Sequence, residues 1–186
     1  MTKPFPIFSR SAILTLATCI CLFISSCSIP ESPEKFFDIA VLNSNMFTDF
    51  ASPNLPRYIA LETKEYPDIP SSKKKGDEAQ TFINNKIAYM DQAAEKVKKL
   101  TASNDEEKEI KQLSLNLYAL ILPVYKNEYL NYARLCDKKG SEEERNAIVK
   151  SIDEKYGAQF DQQFTNLMDK AKVYAEKHNI QVNWGS

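Results

Sequence analysis

The chain has 186 residues and a formal charge of −1, with 24 Lys and Arg against 25 Asp and Glu. That balance gives no basic face for a phosphate backbone and so no ground for nucleic acid as a partner. A single histidine excludes histidine-rich zinc or iron sites, and four glycines are too few for the turns of a strand-dense fold.

The N-terminal stretch comes first. Lys3 and Arg10 make a positive start, and Ser11 to Ile24 is an apolar run of signal-peptide length. It is short of the roughly 20 residues that a membrane span requires. The run ends in Ile24-Ser25-Ser26-Cys27. An ordinary secretory cut after Ala17-Thr18-Cys19 would leave apolar residues behind, and Pro30 and Glu31 follow too soon for a permanent anchor. The tetrad resembles the lipobox of bacterial lipoproteins: an aliphatic residue, two small residues, then cysteine. The resemblance implies that residues 1–26 are removed, that Cys27 carries diacylglycerol on its sulfur, and that the chain is held to a membrane by that lipid. Ser28, standing where an aspartate would retain the protein, is similar to lipoproteins destined for the outer membrane.

On this reading residues 27–31 are a lipidated tether, 32–180 a helical domain and 181–186 a tail. Loss of Lys3 and Arg10 takes the charge to about −3, still close to neutral for this length. Cys19 and Cys21 leave with the signal and Cys27 bears lipid. Cys136 is then the one remaining thiol, and no intramolecular disulfide can form. Stability must come from a packed core.

The composition, rich in Glu, Lys, Ala, Leu, Gln and Asn, predicts helices. Ser32-Pro33-Glu34 is a start signal of capping hydroxyl, proline and acid. A helix with Phe36, Ile39, Ala40, Asn43, Met46, Phe47 and Phe50 on one face should follow and end by Ser52, before Pro53. Residues 53–75 are broken by Pro53, Pro56, Pro67 and Pro70, and a short helix near Arg57–Lys64 should carry Tyr58, Ile59 and Leu61 inward. Lys73, Lys74 and Lys75 read as a solvated turn or as a contact for anionic headgroups.

Ile83, Ile87, Met90, Ala94 and Val97 step by four and three, which makes a heptad-like seam on a helix from Asp77 to Ala102. A third helix, about 105 to 138, carries two stripes. One is Ile110, Leu113, Leu117, Leu120 and Val124; the other is Leu115, Tyr118, Leu122, Tyr125, Tyr129, Tyr132 and Cys136. Two stripes require two or more neighbours. Pro123 should kink this helix, and Gly140 should end it in the left-handed conformation. Ser141 with Glu144 forms a capping box for a fourth helix, whose buried face runs from Val149 and Ile152 through Phe160 and Leu167 to Tyr174. The predicted architecture is all-α: an up-and-down bundle of about four long helices with one Pro-rich irregular segment.

Chemistry-bearing patterns are scarce. No nucleophile elbow, phosphate loop or dinucleotide fingerprint occurs, and Glu176-Lys177-His178 is not the Glu-x-x-His of a di-iron site. The sequence therefore gives no catalytic residue, no metal ligand and no cofactor. The tyrosines are the strongest remaining signal. Tyr118, Tyr125 and Tyr132 repeat every seven residues, with Tyr129 among them. They fill the core with their hydroxyls at its rim, or else Tyr118, Leu122, Tyr125 and Tyr129 line a ligand or peptide groove beside Pro123.

Leu42-Asn43-Ser44-Asn45 and the run Tyr174-Ala175-Glu176-Lys177-His178-Asn179-Ile180 resemble pieces of small helical lipoproteins of Gram-negative envelopes, such as those of Bacteroidetes and Leptospira. The resemblance implies a surface or periplasmic lipoprotein and carries no active-site residue with it. Two functions are expected from all this. One is a lipid-anchored interaction or scaffold protein with an envelope partner and no catalysis. The other is a lipid-anchored binding module for a small apolar ligand or peptide.

Overall fold

The structure, a computed structural model, describes residues 31–184. Cys27 and the signal-like stretch lie outside the described residues. All regular elements among the described residues are helical.

Helix α1 spans Pro33–Ala40, with Ser32 Oγ accepting the Lys35 N–H at 3.3 Å. It does not run on to Ser52 as the periodicity predicts. The backbone tightens instead into a 3₁₀ segment over Leu42–Phe47. The cause is local. Asn43 Nδ2 donates to Ile39 O at 3.1 Å and Ser44 Oγ donates to Val41 O at 2.6 Å. Short polar side chains that bond nearby backbone offer the chain an alternative to continued α-helix. Phe36, Phe37, Ala40 and Phe47 are buried all the same.

Helix α2, Leu55–Glu62, buries Leu55 and Ile59. Tyr58 is half-buried, and Leu61, expected to face inward, is 53% exposed. Helix α3, Glu78–Lys99, buries the whole predicted seam. The third rod is α4, Asp105–Val124, then a π turn, Tyr125–Tyr129, then α5, Leu130–Asp137. Pro123 lies inside α4, and the wide turn begins two residues after it. Pro123 has no N–H to give to the carbonyl four residues back, and Asn127 Nδ2 donates to Pro123 O at 2.8 Å. The fourth rod repeats the plan: α6, Glu142–Ile152, a π turn, Asp153–Gly157, and α7, Ala158–Lys177. The capping box of Ser141 and Glu144 is present.

The residue that ends α5 is not the one expected. Lys139 takes the left-handed conformation, with φ of 54°. Gly140 is needed for a close approach instead. Its N–H donates to Leu135 O at 2.7 Å, and a Cβ there would lie 3.0 Å from Leu135 Cδ2 and 3.2 Å from Leu135 O. The closing bond, six residues back to one, is that of a Schellman stop. Asn179, with φ of 56°, ends α7 in the same way through Ile180 N–H to Ala175 O at 2.9 Å.

Helices α3, α4–α5 and α6–α7 form an antiparallel bundle. The two stripes on the third rod are explained by α3 on one side and α7 on the other. Helix α1 packs on α3 and α4, and its Phe36 ring meets Tyr174 of α7 at 5.5 Å.

The bundle has two distinct ends. At one, α1 begins, α7 finishes, and Lys177 pairs with Glu106 at the start of α4. At the other, Asp137 at the end of α5 accepts from the Ala79 and Gln80 amides at the start of α3. The Pro-rich segment reaches this second end. Helix α3, with 22 residues, separates the two by about 33 Å.

Candidate functional site

The predicted groove residues do not form a groove. Tyr118, Tyr125 and Tyr129 are buried, and Leu122 is half-buried. Tyr125 and Tyr129 stack on each other with centroids 4.0 Å apart, and Phe50 lies 5.9 Å from Tyr129. Tyr118 packs edge-on to Phe47 at 4.9 Å. The reason is the 3₁₀ segment and the turn after it. They lay Phe47 and Phe50 over the ring faces that an open groove would have exposed.

What remains beside the π turn is a small cavity of about 70 Å³ lined by Asp49, Leu55, Tyr58, Phe82, Ile83, Lys86, Tyr125 and Tyr129. It could hold a water or two. Tyr58 donates its hydroxyl proton to Asp49 Oδ1 at 2.9 Å, which raises the Tyr58 pKa. Lys86 Nζ lies 5.4 Å from the centroid of the Tyr125 ring. Burial pushes the Lys86 amine down, and the charge of Asp49 opposes that shift. Burial drives Tyr125 far up and Tyr129 up to about 12. Asp49 and Lys86 carried no sequence signal, since chain distance separates them and nothing repeats around them.

One opening, of about 570 Å³, lies at the first end between the start of α4 and the last turns of α7, beside Glu106, Lys170, Val173 and Lys177. Two others lie at the second end. A cleft of about 500 Å³ lies between the Pro-rich segment and α3, lined by Thr63, Tyr66, Ile69, Lys73, Phe82 and neighbouring residues. A second cleft, of about 360 Å³, lies on the other side of α2 against Tyr132, Cys136 and Arg145. Thr63 lines both. Leu61, Tyr66 and Ile69 are exposed around them. The segment holds its shape through Ser72. Its Oγ accepts the Tyr66 N–H at 2.8 Å and lies 2.7 Å from Ile69 O, to which it donates. Tyr66 and Ile69 stand next to Pro67 and Pro70, and apolar residues in so short and broken a segment were a sequence signal for an uncovered surface.

Cys136 is half-buried in the second cleft, near Tyr132, whose pKa is raised by burial and by the neighbouring thiol. His178 caps α7 with its ring 4.3 Å from Tyr174. Among the described residues no three His, Cys, Asp or Glu side chains are placed to hold a metal ion. No described helix is long and apolar enough to cross a membrane. Comparison with protein families, curated proteins and solved structures gives no match to this chain.

Proposed function

We propose that this chain is a lipid-anchored helical-bundle lipoprotein of the cell envelope, tethered through Cys27, that works as an interaction protein rather than a catalyst. Its partner is an envelope protein, and its contact surface is the end of the bundle formed by the Pro-rich segment. The observation that carries this reading is the separation of ends. The chain enters the bundle at Ser32, beside the finish of α7, while the two clefts that flank α2 and the exposed Leu61, Tyr66 and Ile69 lie at the other end, about 33 Å away along α3. The opening at the tether end is edged by charged side chains, Asp105, Glu106, Glu109, Asp169, Lys170 and Lys177, with Val173 the one apolar residue among them. A tether at one end and an uncovered apolar rim at the other suit a protein that holds a partner off a membrane. Lys73, Lys74 and Lys75 lie at that far end too, which favours their role as a solvated turn over contact with headgroups. The filled core beside Pro123 disfavours a ligand module there, because a cavity of about 70 Å³ is far below the roughly 300 Å³ at which ligand pockets begin.

Two measurements test the reading. Intact mass of the membrane-extracted protein should show loss of residues 1–26 and a diacylglycerol adduct, and Cys27→Ala should release the chain from the membrane fraction. A photo-crosslinking residue should then be placed at Tyr66 or Tyr89 in the living envelope. Tyr89, on the middle of α3, is 55% exposed against 46% for Tyr66, so exposure does not favour the test position. A discrete adduct at Tyr66 and none at Tyr89 is expected. Equal labelling at both, or at neither, would count against the distal surface.

A further inference from the structure

The tail after α7 does not trail away. Ile180 and Val182 pack against the core, and Trp184 meets Phe37 of α1 edge-on at 6.1 Å. Lys172 of α7 lies 6.0 Å from the Trp184 ring. The indole is nevertheless 40% exposed, although a large aromatic with a core beside it would ordinarily be covered. It sits at the end of the bundle where the chain emerges toward Cys27.

We propose that Trp184 is a membrane contact: the indole, with the Lys172 ammonium beside it, rests in the headgroup layer of the bilayer that holds the Cys27 lipid. This rests on the lipid-anchored reading above. The reach is sufficient. Five residue steps from Cys27 to Ser32 extend to at most about 17 Å. Phe37, which carries the indole, lies only about 8 Å along α1 from Ser32. The bundle can therefore lean on its α1 and α7 side without stretching the tether. Tryptophan favours this layer because its ring is apolar and its N–H is polar, and a lysine on the same patch sets its charge among lipid phosphates. The two chains of the Cys27 diacylglycerol hold the protein to the bilayer by themselves, and the indole contact sets which side of the bundle faces it.

Trp184 is the one tryptophan in the sequence, so its fluorescence reports its position without substitution. The full lipidated chain is reconstituted into vesicles of phosphatidylethanolamine and phosphatidylglycerol, with and without bromine on the acyl chains near the headgroup. Loss of emission in the brominated vesicles, a blue shift, and protection from iodide are expected. The Cys27→Ser chain, which lacks the lipid, should keep its iodide quenching. If the lipidated chain floats with the vesicles but its emission is unquenched by bromine and open to iodide, the contact is disproved and the anchor stands. If the chain keeps residues 1–26 and does not float, both readings fall.

Discussion

Tyr129 and Tyr118 occupy the same stripe of the third rod and are equally buried, yet their hydroxyls have different fates. Tyr129 Oη accepts the N–H of Ala51 at 2.9 Å. Ala51 is in the left-handed conformation, φ 54°, which an alanine adopts at a cost of about 1–2 kcal/mol. The hydroxyl thus satisfies a buried amide at a strained turn. Tyr118 Oη is buried with no hydrogen-bond partner among the described residues. Tyr129→Phe should therefore cost about 1–3 kcal/mol in urea unfolding, because the Ala51 amide is left unmet. Tyr118→Phe should be neutral or stabilising. Equal losses for the two would mean that the Ala51 bond contributes nothing. Heptad spacing treats these residues alike, since it reports which face is apolar. What divides them is a contact made across 78 residues of chain.

The start of α3 shows how one element completes another. Asp77 stands where a cap belongs but makes no capping bond, and Glu78 turns its carboxylate back onto the amides of Lys75 and Gly76. The cap comes instead from the end of the neighbouring rod. Asp137 takes the Ala79 and Gln80 amides at 3.0 and 3.1 Å, and the Gln80 side-chain amide at 3.0 Å. Asp137→Ala should cost about 1–2 kcal/mol, the worth of a good N-cap, and should loosen hydrogen exchange at both ends it joins. Asp137→Asn should recover much of that loss. A variant as stable as the parent would show that water replaces the carboxylate. Signals that act within a few residues were legible in the sequence. They include the Ser32 and Ser141 caps, the α3 seam, and the all-α bundle that the long periodic segments imply. The break after Ala40, the π turn that follows Pro123, and the outward face of Leu61 were not. The Asn43 and Ser44 bonds that end α1 are local too, but asparagine and serine also stand inside α3 and α4, so residue type alone does not mark the break. The candidate groove failed because an apolar stripe shows that something covers it, and here Phe47 and Phe50 do.

For the molecule as a whole, the buried tyrosines tie stability to alkaline pH. Burial raises the pKa of Tyr118, Tyr125, Tyr129, Tyr132 and Tyr174, and a carboxylate acceptor, Glu107, adds to the rise at Tyr174. In the unfolded chain each loses its proton near pH 10. Between that value and the folded one, about 12 for Tyr129, the native state binds more protons than the unfolded state. Stability is then fully present below pH 10 and falls as pH rises, each such tyrosine contributing a slope of up to about 1.4 kcal/mol per pH unit. Lys86 acts in the opposite sense. Its folded pKa is lowered, so its desolvation cost is present at neutral pH and is relieved as pH rises toward the unfolded lysine value near 10. One lysine against five tyrosines leaves the net slope downward. The bundle should hold its helical circular dichroism up to about pH 10 and then unfold in one cooperative step, with the tyrosinate absorbance of the buried rings appearing in the same transition. If these five tyrosines ionise near pH 10 while the helical signal is intact, their rings are open to water and the core is not packed around them.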